Sequence, residues 1–291
     1  MKTLFTFSLF ILLVSCNKNN EKADGYGNFE ATEVTISAEA NGKIEYLNLE
    51  EGAILEPEVQ VGLIDTTQLY FNKKQLIASK NTVFSKSKNV LSQNSVLQEQ
   101  LKTALIEQKR IENMFAENAA TKRQVDEING KVNVLKEQIK SVATQNSPIL
   151  NEVKSIDVQI EKINDQIQKS IIINPIKGTV LAKYCEPNEV TAFGKPLYKI
   201  ADISEITLRV YVSETQLPNI KLGQNVSVKI DSVSEMKTYP GTISWISSSA
   251  EFTPKIIQTK EERVNLVYAV KVKVKNDGSL KIGMPAEMWI K

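Results

Sequence analysis

From Val125 to Ile167 apolar residues recur in steps of three and four without a slip. The series runs Val125, Ile128, Val132, Leu135, Ile139, Val142, then Ile149, Val153, Ile156, Ile160, Ile163 and Ile167, with Asn146 its one polar member. About six heptads of this kind predict a long helix with one narrow apolar seam, which must lie against a partner helix. Pro148 sits inside the series and lacks the N–H that an interior helical residue donates, so a kink is predicted there, with the register carrying on as a single helix.

The partner is on the amino-terminal side. Leu76, Val83, Val90, Leu97, Ala104 and Ile111 recur at sevens, widened by Ile77, Phe84, Leu91, Leu101 and Leu105. Residues 68–169 therefore read as an antiparallel coiled-coil hairpin, each arm reaching roughly 75 Å at about 1.5 Å per residue. Several heptad partners on the first arm are Lys, Ser or Gln, so that arm has room for another chain beside it. Phe115 to Thr121 supplies the turn, centred on Asn118, with Thr121 as the predicted N-cap of the returning helix.

The hairpin interrupts a repeat. Ile36 to Ile44 corresponds to Ile172 to Val180, and the same offset pairs Gly42 with Gly178, Ile54 with Val190, Val61 with Leu197, Ile64 with Ile200 and Glu50 with Glu186. Gly52 falls on Asn188, a mild exchange, but Glu58 falls on Gly194, which is not. Each half holds short Val/Ile/Leu runs bounded by turn residues, so 29–67 and 170–202 predict one β-sandwich assembled from two halves. Past it, Ile206–Val212, Val226–Ile230 and Tyr268–Val274 alternate with period two, and Asn276-Asp277-Gly278 turns toward a last strand at Ala286 to Ile290. Residues 203–291 close most simply as a small β-barrel. The fold class is thus mostly β plus a long α-hairpin.

Composition narrows the function. With 0 His among 291 residues, no Ser-His-Asp or Cys-His nucleophile and no His-ligated metal can be assembled. No Asp/Glu pair stands among catalytic companions and no Gly-rich phosphate loop occurs, so the chain is read as no enzyme, with no cofactor. Its 36 Lys+Arg against 34 Asp+Glu give +2, which offers no reason for a nucleic-acid partner. Residues 1–15 read as a signal peptide, with Lys2 before an apolar run from Leu4 to Val14 that is too short to span a bilayer. Leu13-Val14-Ser15-Cys16 is similar to a bacterial lipobox, making Cys16 the lipidated first residue of the mature chain. Acyl chains would hold it on a membrane, each methylene adding about 0.8 kcal/mol. Residues 16–28, polar and Gly-containing, read as a tether. Cys185 remains as a buried apolar residue.

The split sandwich resembles a biotinyl/lipoyl domain divided by an insertion, the pattern of HlyD-family membrane fusion proteins. No Asp-Lys or Met-Lys carrier lysine occupies the hairpin that the insertion replaces after Asp65-Thr66-Thr67. Lys195 to Ile203, Glu214 to Leu217, Leu222-Gly-Gln224 and Ile282-Gly-Met-Pro285 also resemble barrel segments of that family. Arg110, Met114 and Thr121 resemble the Arg-x3-Leu-x6-Ser pattern at the hairpin tip of adaptors that dock on TolC-type outer-membrane ducts. The resemblance implies a lipid-anchored periplasmic adaptor, inner membrane favoured, joining an inner-membrane transporter to such a duct and packing as homo-oligomeric, sixfold rings. Segments Phe252 to Lys255 and Lys260 to Arg263 are similar to the subset serving ABC-type exporters. The fourth, membrane-proximal domain common beside RND pumps is expected to be absent or a stub, since Lys291 closely follows Gly283-Met-Pro285. An RND adaptor, or an envelope scaffold lipoprotein with no transporter, are the competing readings.

Overall fold

The computed structural model describes residues 22–232, 236–252 and 266–290. The signal peptide, Cys16 and the segment 253–263 lie outside the described residues. The chain first forms β1 (Gly25–Glu30), then β2 (Glu33–Ser37), β3 (Gly42–Leu47), β4 (Ile54–Leu55) and β5 (Gln60–Ile64). After the helices come β6 (Ile171–Ile173), β7 (Gly178–Lys183), β8 (Val190–Thr191) and β9 (Pro196–Ala201).

Strands β2 to β5 and β6 to β9 correspond at the offset of the sequence repeat. They do not form one sheet each. One sheet has the order β2-β9-β7-β4 and the other β6-β5-β3-β8, so exchanging the halves maps one sheet onto the other. Because every sheet draws two strands from either half, neither half can close a core alone, and the inserted helices must bring the chain back. Ile44, Ile64, Val180, Leu197, Tyr198 and Ile200 form the shared core, all at most 1% exposed. The repeat extends to backbone conformation. Gly52 and Asn188 both take positive φ, 86° and 75°, as do Gly194 and Glu58, at 81° and 62°. Glu58 thus accepts the left-handed region without glycine's freedom, a strain on the order of 1–2 kcal/mol.

Buried Asn174 joins the halves. Its amide nitrogen donates to the carbonyls of Glu56 (2.8 Å) and Ile176 (2.6 Å), and its side-chain oxygen accepts from the Tyr198 hydroxyl at 3.1 Å. Its backbone oxygen accepts from the Glu58 N–H at 2.8 Å, and its N–H donates to Val59. Burial pushes the Tyr198 phenol up to about 12.

The insertion comprises α1 (Thr67–Ala116), α2 (Lys122–Thr144) and α3 (Asn146–Lys169). Val125, Ile128, Val132, Leu135, Val153 and Ile156 are buried, Val132 and Leu135 packing with Ala104 of α1 and Val153 and Ile156 with Val83. The single kinked helix expected here is instead two helices, divided at Gln145, three residues before Pro148. Gln145 keeps right-handed helical dihedrals (φ −71°, ψ −18°) and its N–H turns to Val142, one residue nearer than an α-helix requires. The ladder is cut where the N–H missing from Pro148 would have reached Thr144. Asn146, the polar member of the seam, accepts a 2.6 Å hydrogen bond from the buried Ser87 hydroxyl.

The carboxyl-terminal strands are β10 (Glu205–Ser213), β11 (Asn225–Ile230), β12 (Lys237–Ile246), β13 (Glu251–Phe252), β14 (Leu266–Lys275) and β15 (Pro285–Ile290). Order β10-β1-β15-β11-β12-β14, with β14 pairing back to β10, closes a six-stranded barrel, and β13 adds to β14. Ile206, Leu208, Val210, Val228, Val270, Val272 and Met288 fill it, none exposed. Here the expected tether and barrel limits need correction. Gly25 to Asn28 is no tether: β1 is inserted between β10 and β15 and completes the closure, with Phe29 in the barrel core. A Cβ at Gly27 would collide with the carbonyl oxygen of Arg209, so glycine is what lets β1 enter. Strand β12 alternates as well, with Tyr239, Gly241 and Ile243 buried, a pattern that Pro240-Gly241 hides in the sequence.

Candidate functional site: the hairpin tip

The three tip residues come together by local rules. Helix α1 ends at Ala116 because Asn118 turns left-handed, at φ 59°. The Ala119 N–H then reaches back to the Met114 carbonyl (2.8 Å) and the Asn118 N–H to that of Phe115 (3.0 Å), a Schellman closure. Helix α2 starts with a full capping box: the Gln124 N–H donates to Thr121 Oγ1 at 3.4 Å, and the Thr121 N–H to Gln124 Oε1 at 2.7 Å. A turn satisfied on both sides holds a defined shape without help from outside.

Arg110 stands one turn before Met114 on α1, with its side chain 71% exposed. Its ion pair with Glu107 is loose, 3.7 Å, and one at this exposure is worth at most about 1 kcal/mol. The guanidinium is therefore free to exchange Glu107 for acceptors on another surface. Met114 is half-buried and Phe115 beside it is exposed. The Thr121 hydroxyl is committed to the cap, since it also donates to Gln124 Oε1 at 2.9 Å. Sequence reasoning missed Gln124, although Thr-x-x-Gln is a capping-box signature, and missed Phe115 as exposed apolar surface.

Elsewhere chemistry is sparse. Burial raises the Cys185 thiol above its ordinary range, and its Sγ faces the Leu197 carbonyl at 3.6 Å, so this cysteine is packing. Among the described residues no helix is long and apolar enough to cross a membrane.

Residues 206–290 match the family model of the YknX-like beta-barrel domain. A UPF0194 membrane protein of Yersinia pseudotuberculosis is 24% identical over 299 residues, covering 92% of this chain and 89% of its own length. A UPF0194 membrane protein of Acidithiobacillus ferridurans is 35% identical over 117 residues, covering 40% of this chain and 34% of its own. Among solved structures, MacA from Actinobacillus actinomycetemcomitans superposes with a TM-score of 0.53 at 19% identity, covering 91% of this chain and 76% of that one. A MacA-MexA chimera containing the Pseudomonas aeruginosa MexA alpha-hairpin domain gives 0.51 at 19%, covering 91% and 78%. The split sandwich, helical hairpin and closed barrel are thus a fold shared with MacA.

Proposed function

We propose that the protein is a lipid-anchored periplasmic adaptor that couples an inner-membrane transporter, ABC-type in preference to RND, to a TolC-type outer-membrane duct. The observation that carries the reading is the hairpin. An arm of 50 residues ends in a turn whose backbone groups are internally capped, with Arg110 exposed beside it in a loose ion pair, which suits a rigid probe with a charged contact at its end. The barrel and sandwich form the body from which it projects. The work is mechanical: Cys16 fixes the chain to the membrane, copies pack side by side as a ring, and the tips of Arg110, Met114 and Thr121 meet the duct. Thr121 serves that contact by shaping the turn, while Arg110 supplies donors and Met114 a packing surface.

The test is affinity isolation of the full-length protein from its own membranes in mild detergent, with co-purifying proteins identified by mass spectrometry. An ATPase, a permease and an outer-membrane duct are expected. An RND pump instead would keep the adaptor and change the subtype, and recovery of no transporter would leave an envelope scaffold. Arg110→Glu is expected to abolish export at normal protein level, and Cys16→Ala to release the protein from membranes.

A further inference from the structure

The seam between the two arms of the hairpin is not uniform. Leu97, Leu101 and Ala104 of α1 pack with Val132 and Leu135 of α2, and Leu76 and Val83 pack with Ile149, Val153, Ile156 and Ile160 of α3, so the hairpin holds two separate apolar cores. Between them the seam positions of α1 are Ser87, Val90 and Asn94, and no residue of the returning arm between Leu135 and Val153 is buried. Polar groups elsewhere are paired across the seam: the Gln108 amide donates to Asn129 Oδ1 at 2.6 Å, and Lys80 meets Asp157 at 2.6 Å. At this waist the Ser87 hydroxyl reaches across to Asn146, while the side-chain oxygen of Asn94 is buried with no partner among the described residues. Two facing helices resist bending through the side chains interlocked between them, so the hairpin is least stiff here.

The backbone is built for a bend at the same height. The Gln145 N–H bonds to Val142 at 3.1 Å and so leaves the Ser141 carbonyl, its partner in an unbroken α-helix, and the Thr144 hydroxyl takes that carbonyl at 2.7 Å. The break is thus satisfied by its own side chain and needs no packed neighbour to persist. Pro148 keeps the ladder from closing over it, because it has no N–H to give the Thr144 carbonyl. On the other arm the hydroxyls of Thr82 and Ser85 donate back to the carbonyls of Ala78 and Asn81, at 3.1 and 2.8 Å, an arrangement that lets α1 curve with its own ladder intact.

We infer that the hairpin is jointed at this waist, and that its outer part, tip included, swings as one stiff piece about Gln145. The joint goes beyond the adaptor reading and does not rest on it. Helix α2 carries the tip roughly 35 Å past the joint at about 1.5 Å per residue, so a bend of about 20° sweeps the tip through roughly 12 Å. A turn of fixed shape on a jointed arm meets a partner that does not stand in line with the sandwich. With packed helices about 9 Å apart, the same bend lengthens or shortens the returning arm against α1 by about 3 Å, and the break between α2 and α3 is the place that takes up the difference.

Spin-label distances in the full-length chain, diluted with unlabelled chain in detergent, test the joint. Every labelled chain carries Cys16→Ala and keeps Cys185, which is buried. The pair Asn133→Cys with Glu161→Cys straddles the break on the returning arm, and Lys74→Cys with Lys102→Cys marks an equal span of α1. A distance distribution split, or broadened, by about 3 Å is expected for the first pair and a narrow one for the second. Equally narrow distributions overturn the joint, and so do equally broad ones, which would mean that both arms flex along their length. Pro148→Ala restores the missing donor and is expected to narrow the first distribution to the width of the second. A width unchanged in that variant, at unchanged far-UV helicity, would overturn the assignment of the joint to this break.

Discussion

The split sandwich and the hairpin solve the burial problem in opposite ways. In the sandwich, two half-repeats interlock across both sheets, and the buried Asn174 spends both donors and its acceptor on the chain itself. In the hairpin, a 50-residue helix buries only Val83, Ser87 and Ala104 below a tenth of their surface, and Asn94 leaves a side-chain oxygen buried without a partner. The sandwich closes its core from within the chain, though Thr191 Oγ1 in β8 is buried without a partner as well. The hairpin leaves large apolar residues bare along α1, Ile77, Phe84 and Leu91 among them.

Breaking the sandwich should cost most. Asn174→Ala takes the side-chain partner from the carbonyls of exposed Glu56 and half-buried Ile176 and from the buried Tyr198 hydroxyl, and a loss of about 2 kcal/mol is expected by chemical denaturation, an unsatisfied buried group costing about 1–3 kcal/mol. Less than about 1 kcal/mol would show that the two halves are held by apolar packing alone. The equivalent cut in the hairpin, Ser87→Ala, removes one neutral hydrogen bond to Asn146, and about 1 kcal/mol is expected. Hydrogen exchange should localise its effect to the break between α2 and α3, and a change spread over the sandwich would contradict the separation of the two regions. Glu58→Gly runs the other way: it relieves the left-handed strain at one repeat position, and after the added freedom of the unfolded chain a gain of about 0.5–1 kcal/mol is expected in the same denaturation measurement.

The smallest effect is that of pH, where the contrast vanishes. Hydrogen bonds from Thr67 hold the Asp65 carboxyl below its ordinary range, and those from Ser204 do the same for Asp202. At the barrel end, Lys237 lowers Asp277. A carboxylate with a depressed folded pKa contributes stability above its unfolded value near 4, and that contribution is lost as pH falls through the folded one. Without histidine, the melting temperature should stay flat from about pH 5 to 8 and decline below about pH 4. Asp277→Asn should make that acid decline shallower, and an unchanged profile would mean that Lys237 contributes nothing there.

Much of the site was legible in the sequence. Asn118 is the residue type that tolerates the left-handed end of a helix, and Thr121 with Gln124 spells a capping box, so the tip follows from seven or eight consecutive residues. The exposure of Arg110 was not legible, because a heptad pattern does not say which flank of a two-helix layer stays bare. The expected single helix divides three residues before Pro148, since a proline removes the bond to the residue four back and does not act at its own position.

What the sequence determined by itself is local or periodic: the heptad seam from Val125 to Ile167, the repeat that pairs Gly42 with Gly178, and the caps at the tip. Each is written in neighbouring side chains or in their spacing. The tertiary structure alone decided that the two half-repeats exchange strands between sheets, and that Gly25 to Glu30 closes the barrel. That segment offers the core just Phe29, and its pairing with Tyr211 and Met288 is made by backbone hydrogen bonds to strands more than 170 residues away. Backbone groups are the same at every residue, so a strand recruited through them leaves no period for a reader of the sequence to find.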